Sequence, residues 1–491
     1  MKLFLLGLVA CVGAPAGEIH GVVLDSASGR AVARAQVTLE RVLGGGGAES
    51  RSALSDSRGR FSFTGLAAGA YLLSAQRAGY LRARYGQRRW DGAGSPVVLS
   101  AEAQFFAEIR LHRPGVITGQ ILDENGLGMA GQAVYAYRAG ERPLKIAAAA
   151  VSDDRGVYRL TGLQPGNYYV RTGPRQLEDG RGLLPTFFGQ TPSVAAARVV
   201  EAGLDRETSG VDIEPLPGRL ARLAGRVTAG PATVALFSET GKREYQAGPD
   251  GGFVFDELAP GPYQLLAVTT HRPLRAAWER LMVGEGGAEV TLELAPLASL
   301  RVECEGKSGL RVEAERTMVF LLRQEPPEDN PLHVRGGQTI SLLPGVYRVA
   351  VSAPLDYYVA YVRWPRTSVG PAVFEAPPGA VLELAVVLDK RPAAITGRVV
   401  DVDGKPVAGA PVFLLALDPE QQRLMEGTRS ARSDHRGEYR FHGLAPGRYR
   451  LLSSFEIERP SESDWAVAET STVSVEEGQT ARLDLKLAGG L

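Results

Sequence analysis

The sequence predicts an all-β protein, a tandem array of about five small antiparallel β-sandwiches. Three observations carry that expectation. A motif of the form Leu-x-Pro-Gly-x-Tyr recurs, apolar and polar residues alternate with period two between its copies, and helical periodicity is nearly absent. The copies read LAAGAY ending at Tyr71, LQPGNY at Tyr168, LAPGPY at Tyr263, LLPGVY at Tyr347 and LAPGRY at Tyr449. Their glycines, Gly69, Gly166, Gly261, Gly345 and Gly447, stand 84 to 102 residues apart. That interval is too long for solenoid repeats and long enough for a domain with its own core. At 491 residues the chain exceeds what one ordinary core accommodates.

Each unit opens on a strand that runs into a hairpin: GVVLDSASGRAVARAQVTLE from Gly21, ITGQILDENGLGMAGQAVYAY from Ile117, LAGRVTAGPATVALF from Leu223 and ITGRVVDVDGKPVAGAPVFLL from Ile395. Alternation, Gly-containing turn pairs and β-branched residues mark the hairpin. The stretch around Leu300 is a degenerate copy. A second turn follows as SDSRG from Ser55, SDDRG from Ser152, GPDGG from Gly248 and SDHRG from Ser433. Its Asp and Ser are expected to hold their own backbone, while Gly59, Gly156, Gly251 and Gly437 supply a positive φ. Next, a Pro-Gly turn ends one strand and a Tyr starts another. A buried ring with its hydroxyl bound to upstream backbone is a tyrosine corner, the role expected of Tyr71, Tyr168, Tyr263, Tyr347 and Tyr449. A closing strand such as GQTARLDLKL completes each unit.

The opening hairpin, the SDHRGEYRFHGLAPGRYRL block and the amphipathic closing strand together resemble the carboxypeptidase regulatory-like domain. The resemblance implies a transthyretin-like β-sandwich of about seven strands, a non-catalytic module found beside zinc carboxypeptidases and on bacterial exported proteins, in a carbohydrate-binding-like fold group. The units at 18–112, 114–216 and 392–490 match well; 217–296 is divergent and 297–390 degenerate. Junctions are short and proline-bearing, at 112–115, 215–218, 295–298 and 390–393, which predicts a semi-rigid elongated or curved rod.

Residues 1–16 read as a signal peptide, with Lys2 before an apolar run too short to span a bilayer. Ala14-Pro15-Ala16 would release a soluble chain from Gly17; LVAC ending at Cys11 would instead leave a lipid-anchored cysteine. Either route exports the protein to the periplasm, cell surface or medium. Cys304 is then the only cysteine of the mature body, so no disulfide supports it, and it is expected as a buried apolar thiol. With 55 basic and 55 acidic residues, no global field gathers nucleic acid or an anionic membrane.

Catalytic and metal-binding constellations are not legible. The six histidines fall at non-equivalent places, and His435-x-x-Glu438 has no third ligand in sight. Asp123 to Gly126 and Asp401 to Gly404 place Gly too early for an EF-hand and read as hairpin turns. The run Gly44–Gly47 lacks the Lys-Ser/Thr of a phosphate loop. No cofactor or metal is expected, and the protein is read as non-enzymatic. One recurrent feature points to binding: after the Tyr strand each unit has a polar segment with large aromatics, Tyr85 and Trp90, Phe187 and Phe188, Trp278, Trp364 and Trp465. They are either exposed platforms for a sugar or protein partner, or plugs for sandwich ends and junctions. The leading expectation is a binding and scaffold protein with polysaccharide or cell-wall glycan as ligand; the alternatives are a spacer or an accessory subunit docking on an envelope or secreted protein.

Overall fold

The opening strand Gly17–Asp25 alternates buried and half-buried residues along its whole length, the pattern of a strand with one face on a core. It lies between Arg60–Leu66, to which it runs antiparallel, and the closing strand Gln104–Leu111, to which it runs parallel. Across the core a second sheet orders Ala48–Leu54, Gln36–Val42 and Gly69–Gln76, with Val97–Leu99 on the last. This two-sheet plan recurs from the opening strands Gly115–Gln120, Ala221–Val227, Ala298–Gly306 and Ala393–Val400. The computed structural model describes residues 17–42, 48–141, 143–177, 182–228, 230–364, 371–425, 427–467 and 471–488. The signal region with Cys11 and the run Gly44–Gly47 lie outside them.

Among the described residues the closing strand is the one departure from antiparallel pairing, and in the first and last units a glycine makes room for it. A Cβ on Gly21 would stand 1.9 Å from the Ala107 carbonyl oxygen, and one on Gly397 1.7 Å from that of Leu483. The cross-strand hydroxyl of Tyr439 donates to the same Leu483 carbonyl (2.6 Å), fixing the closing strand.

Buried side chains gather into five main clusters, one in each unit. At each Gly-x-Tyr corner the phenol donates to the carbonyl four residues upstream: Tyr71 to Ala67 (2.6 Å), Tyr168 to Gln164 (2.7 Å), Tyr263 to Ala259 (2.8 Å), Tyr347 to Leu343 (2.8 Å) and Tyr449 to Ala445 (2.7 Å). Burial pushes the Tyr449 hydroxyl up to about 12.

In the second turn, Asp56 Oδ1 accepts the amides of Arg58 and Arg60, and Asp434 Oδ1 those of Arg436 and Glu438. Asp123 and Asp401 do the same in the opening hairpins, which places the calcium-like sequences in ordinary Asx turns. The serine behaves differently from the sequence expectation. Ser55, Ser152 and Ser433 are buried and leave their own turn, each reaching across to the opening hairpin. Ser55 Oγ donates to the Val32 carbonyl and accepts the Ala35 amide, and Ser433 bonds Val407 and Ala410 likewise. The turn amides are already taken by the aspartate, so the hydroxyl satisfies orphan groups elsewhere.

The units do not form a rod. At the first junction, Asp25 accepts Tyr80 Oη (2.8 Å) and the Arg113 guanidinium (3.0 Å), while Asp205 accepts the Arg113 amide and faces His112 (2.6 Å each). Leu424, on the fifth unit's helix Pro419–Leu424, joins the fourth unit's core, and Glu420 accepts the Ala372 amide (3.0 Å). The last unit then returns to the first: Arg84 pairs with Glu458 (2.6 Å), Arg89 with Asp464 (3.1 Å), and the Ala93 amide donates to Phe455 (2.8 Å). Prolines restrict the junctions, but side-chain bonds set their angles, and those angles turn the chain into a closed ring.

Tyr449→Phe should weaken the fifth unit by about 1–2 kcal/mol, because the buried Ala445 carbonyl loses its donor; hydrogen exchange confined to residues 393–488 would register it. Asp25 is held well below the usual carboxylate range, chiefly by Ser28. Its lowered pKa contributes stability that is complete above pH about 4 and drains away as the pH falls further. Melting curves from pH 7 downward should show a steeper acid loss for the wild type than for Asp25→Asn, which starts about 2 kcal/mol less stable.

Candidate functional site

The recurrent aromatics take different places in their units. Tyr85 packs on the first unit's core with its ring edge-on to Phe105 (5.6 Å). Trp90 is half-buried in the segment that meets the fifth unit. Phe187 is 1% exposed, in a satellite cluster with Tyr137, Leu144 and Val194, and the Arg171 guanidinium lies over its ring at 5.2 Å. Phe188 leans on the second unit's core under Arg198 (4.8 Å). Trp465 is 7% exposed on the helix Glu462–Val467, against Phe413, Leu452 and Ile457.

Trp278 and Trp364 are half-buried. The Trp278 indole donates to Gln264 Oε1 (3.1 Å), packs with Leu343 of the fourth unit and carries Arg280 over its ring at 4.3 Å. Trp364 donates to the Pro371 carbonyl (3.0 Å) and tilts against Phe374 at 4.5 Å. The structure therefore keeps the seven side chains apart: Phe187, Trp278 and Trp465 sit in satellite clusters, Tyr85, Phe188 and Trp364 lean on the cores of their own units, and Trp90 stays with the segment that meets the fifth unit. Sequence reasoning missed the arginines as ring covers; only Arg280, two residues from Trp278, is close enough in sequence to signal its role, whereas Arg198 and Arg171 lie 10 and 16 residues from Phe188 and Phe187.

A cleft of about 540 Å³ opens where the second, third and fourth units meet. Phe237, Tyr263 and Met282 give it an apolar wall, and Gln264, Arg280 and Gln324 give it polar groups. Arg280 is paired with Glu325 (2.6 Å), and Lys145 of the second unit pairs with Asp329 of the fourth (2.6 Å), so two ion pairs brace the units around it. Its geometry suits a ligand with both a flat apolar face and hydrogen-bonding edges. Sequence reasoning could not find it, because three units contribute.

Groups capable of chemistry stay apart. Among the described residues no three His, Cys, Asp or Glu side chains gather as for a metal ion. His435 is an exposed turn residue, and Glu438 is paired with Arg398 (3.0 Å). Cys304 is half-buried beside the Ala314 carbonyl, and burial pushes its thiol up, away from thiolate reactivity. Among the described residues no helix is long and apolar enough to cross a membrane.

Comparison with known proteins bears on the fold. The profile of the carboxypeptidase regulatory-like domain matches residues 18–102 and 394–488. No curated protein matches the chain. Among solved structures, the chain is similar to the Bacillus anthracis TIE protein (11% identity, 72% of this chain and 68% of that one, TM-score 0.18). It is also similar to GBS52, the minor pilin of Streptococcus agalactiae (15% identity, 40% and 95%, TM-score 0.26), and to the RrgB pilus protein of Streptococcus pneumoniae (9% identity, 97% and 98%, TM-score 0.16). Scores this low carry no argument about arrangement or role.

Trp465→Ala should cost about 3–4 kcal/mol, since it empties a satellite core. Trp278→Ala should cost about half that. Chemical denaturation followed by hydrogen exchange in each unit would separate the two, and equal, negligible losses would mark both rings as free platforms.

Proposed function

With carboxypeptidase regulatory-like domains as the first and last units of the chain, we propose that this is an exported, non-catalytic scaffold whose closed body docks a protein partner of the cell envelope or secretome. The observation that carries the reading is how the recurrent side chains are used. Tyrosines, aspartates and serines that repeat from unit to unit bond backbone, the aromatics pack, and the arginines of the first unit's long segment join the last unit. A repeat that holds shape at every copy supports a frame for presenting edges and loops.

Glycan binding is the second reading, favoured by the three-unit cleft alone. There Tyr263 and Met282 line the wall beside Gln264, Gln324 and Arg280. A sugar would stack on the former and bond the latter.

The deciding experiment presents the chain from Gly17 to envelope extracts and to a panel of polysaccharides. The scaffold reading expects retention of a defined protein and no saturable glycan binding; glycan binding that Gln264→Ala and Arg280→Ala abolish, with folding intact, would replace it with the second reading. Ring closure has its own test. Arg84→Glu with Arg89→Glu should open the ring and lengthen the particle in solution scattering. Acid should act in the same direction: Glu458 and Asp464 are held below their usual range, so their contribution is present at neutral pH and lost as the pH falls below about 4.

A further inference from the structure

The second sheet of each unit ends on an edge strand that follows the opening hairpin: Ala48–Leu54, Ile146–Val151, Gly241–Ala247, Leu332–Arg335 and Arg429–Arg432. An open edge is a template for another strand, and charge on it is the usual protection. Four of the five carry such charge, with Glu49 and Arg51, Lys242 to Glu244, Arg335, and Arg429 with Arg432. The second unit's edge reads Ile-Ala-Ala-Ala-Ala-Val and carries none. Its ends are open to solvent, Ile146 at 53% and Val151 at 63% exposure.

The backbone of this edge is offered outward. The Ser152 amide donates to the Gln132 carbonyl, and the Gly131 amide donates to the Ser152 carbonyl (3.0 Å each), so Ser152 bonds into its own sheet. Antiparallel ladders alternate, so Ala150 and Ala148 also bond inward, and Ala149 and Val151 direct N–H and C=O away. The register shift falls at the Ile146 end and leaves Ala148–Val151 regular. Lys145, the nearest charge before the strand, is engaged with Asp329 of the same chain.

We propose that this edge pairs with the same edge of a second copy of the chain, antiparallel about a two-fold axis, making one continuous sheet across two rings. The strand is complementary to itself. Setting Ala149 opposite Val151 of the other copy places Ala150 opposite Ala150, uses both outward residues of both strands and opposes no charges. Alanine on both faces lets the backbones approach without a clash. The same operation on Arg429–Arg432 would set arginine against arginine. A contact built on one short strand is small, so the dimer should be weak, with Kd on the order of 1–100 µM.

Sedimentation of the chain from Gly17, over concentrations spanning that range, tests the pairing together with hydrogen exchange. The wild type should pass from monomer to dimer as concentration rises, with the amides of Ala149 and Val151 gaining protection in step. Ala149→Lys and Val151→Lys, both at exposed positions, should weaken the dimer at least about tenfold while leaving the melting temperature unchanged. A wild type that stays monomeric throughout overturns the proposal. So does a dimer that survives both substitutions, or one that forms without protecting those two amides.

Discussion

One hydrogen bond recurs in all five units, from a tyrosine hydroxyl to the carbonyl four residues before it. It spans the corner at which the chain leaves the first sheet and enters the second. Without it, the Pro-Gly turn would bury a carbonyl lacking a donor and a phenol lacking an acceptor, at the point where the two sheets must hold their spacing. The fourth unit, whose opening hairpin is the most altered in sequence, still keeps this pair and still builds two sheets on the common plan. In every unit that corner joins the sheet holding the opening and closing strands to the sheet across the core.

Legibility in the sequence divides by distance along the chain. Turn aspartates bond amides two and four residues on, so Asp56 and Asp434 could be read from a five-residue motif. The serine beside each was misassigned because its partners lie 20 to 26 residues away. Ring closure was out of reach altogether: Arg84 and Glu458 are 374 residues apart, and although 82–91 is rich in arginine and 456–464 in acidic residues, nothing in the sequence pairs one segment with the other. Proline at every junction suggested a semi-rigid elongated or curved rod, but proline limits a dihedral without choosing the direction in which the next unit points.

The aromatic segments misled for a related reason. Trp278 beside Arg280, or Phe188 ten residues from Arg198, has the composition of a binding loop, and composition does not reveal which face of the ring is already covered. Each guanidinium sits over its own protein's ring, so the cation that would accompany a ligand instead covers the patch. What sequence could not contain was the three-unit cleft, an empty volume defined by neighbours rather than by any one unit.

The return of the fifth unit to the first alters how the protein responds to damage. Salt bridges such as Arg84 with Glu458 are partly exposed, and each alone would contribute little, about 1 kcal/mol or less. Held on one chain, however, the two faces meet at a high effective concentration and need little affinity to stay together. A string of five beads cut at one link becomes two strings. A ring cut at one link remains a single object, because every bead keeps a path to every other. Protease nicking at any one exposed junction would therefore leave the assembly's shape and its presented surfaces in place.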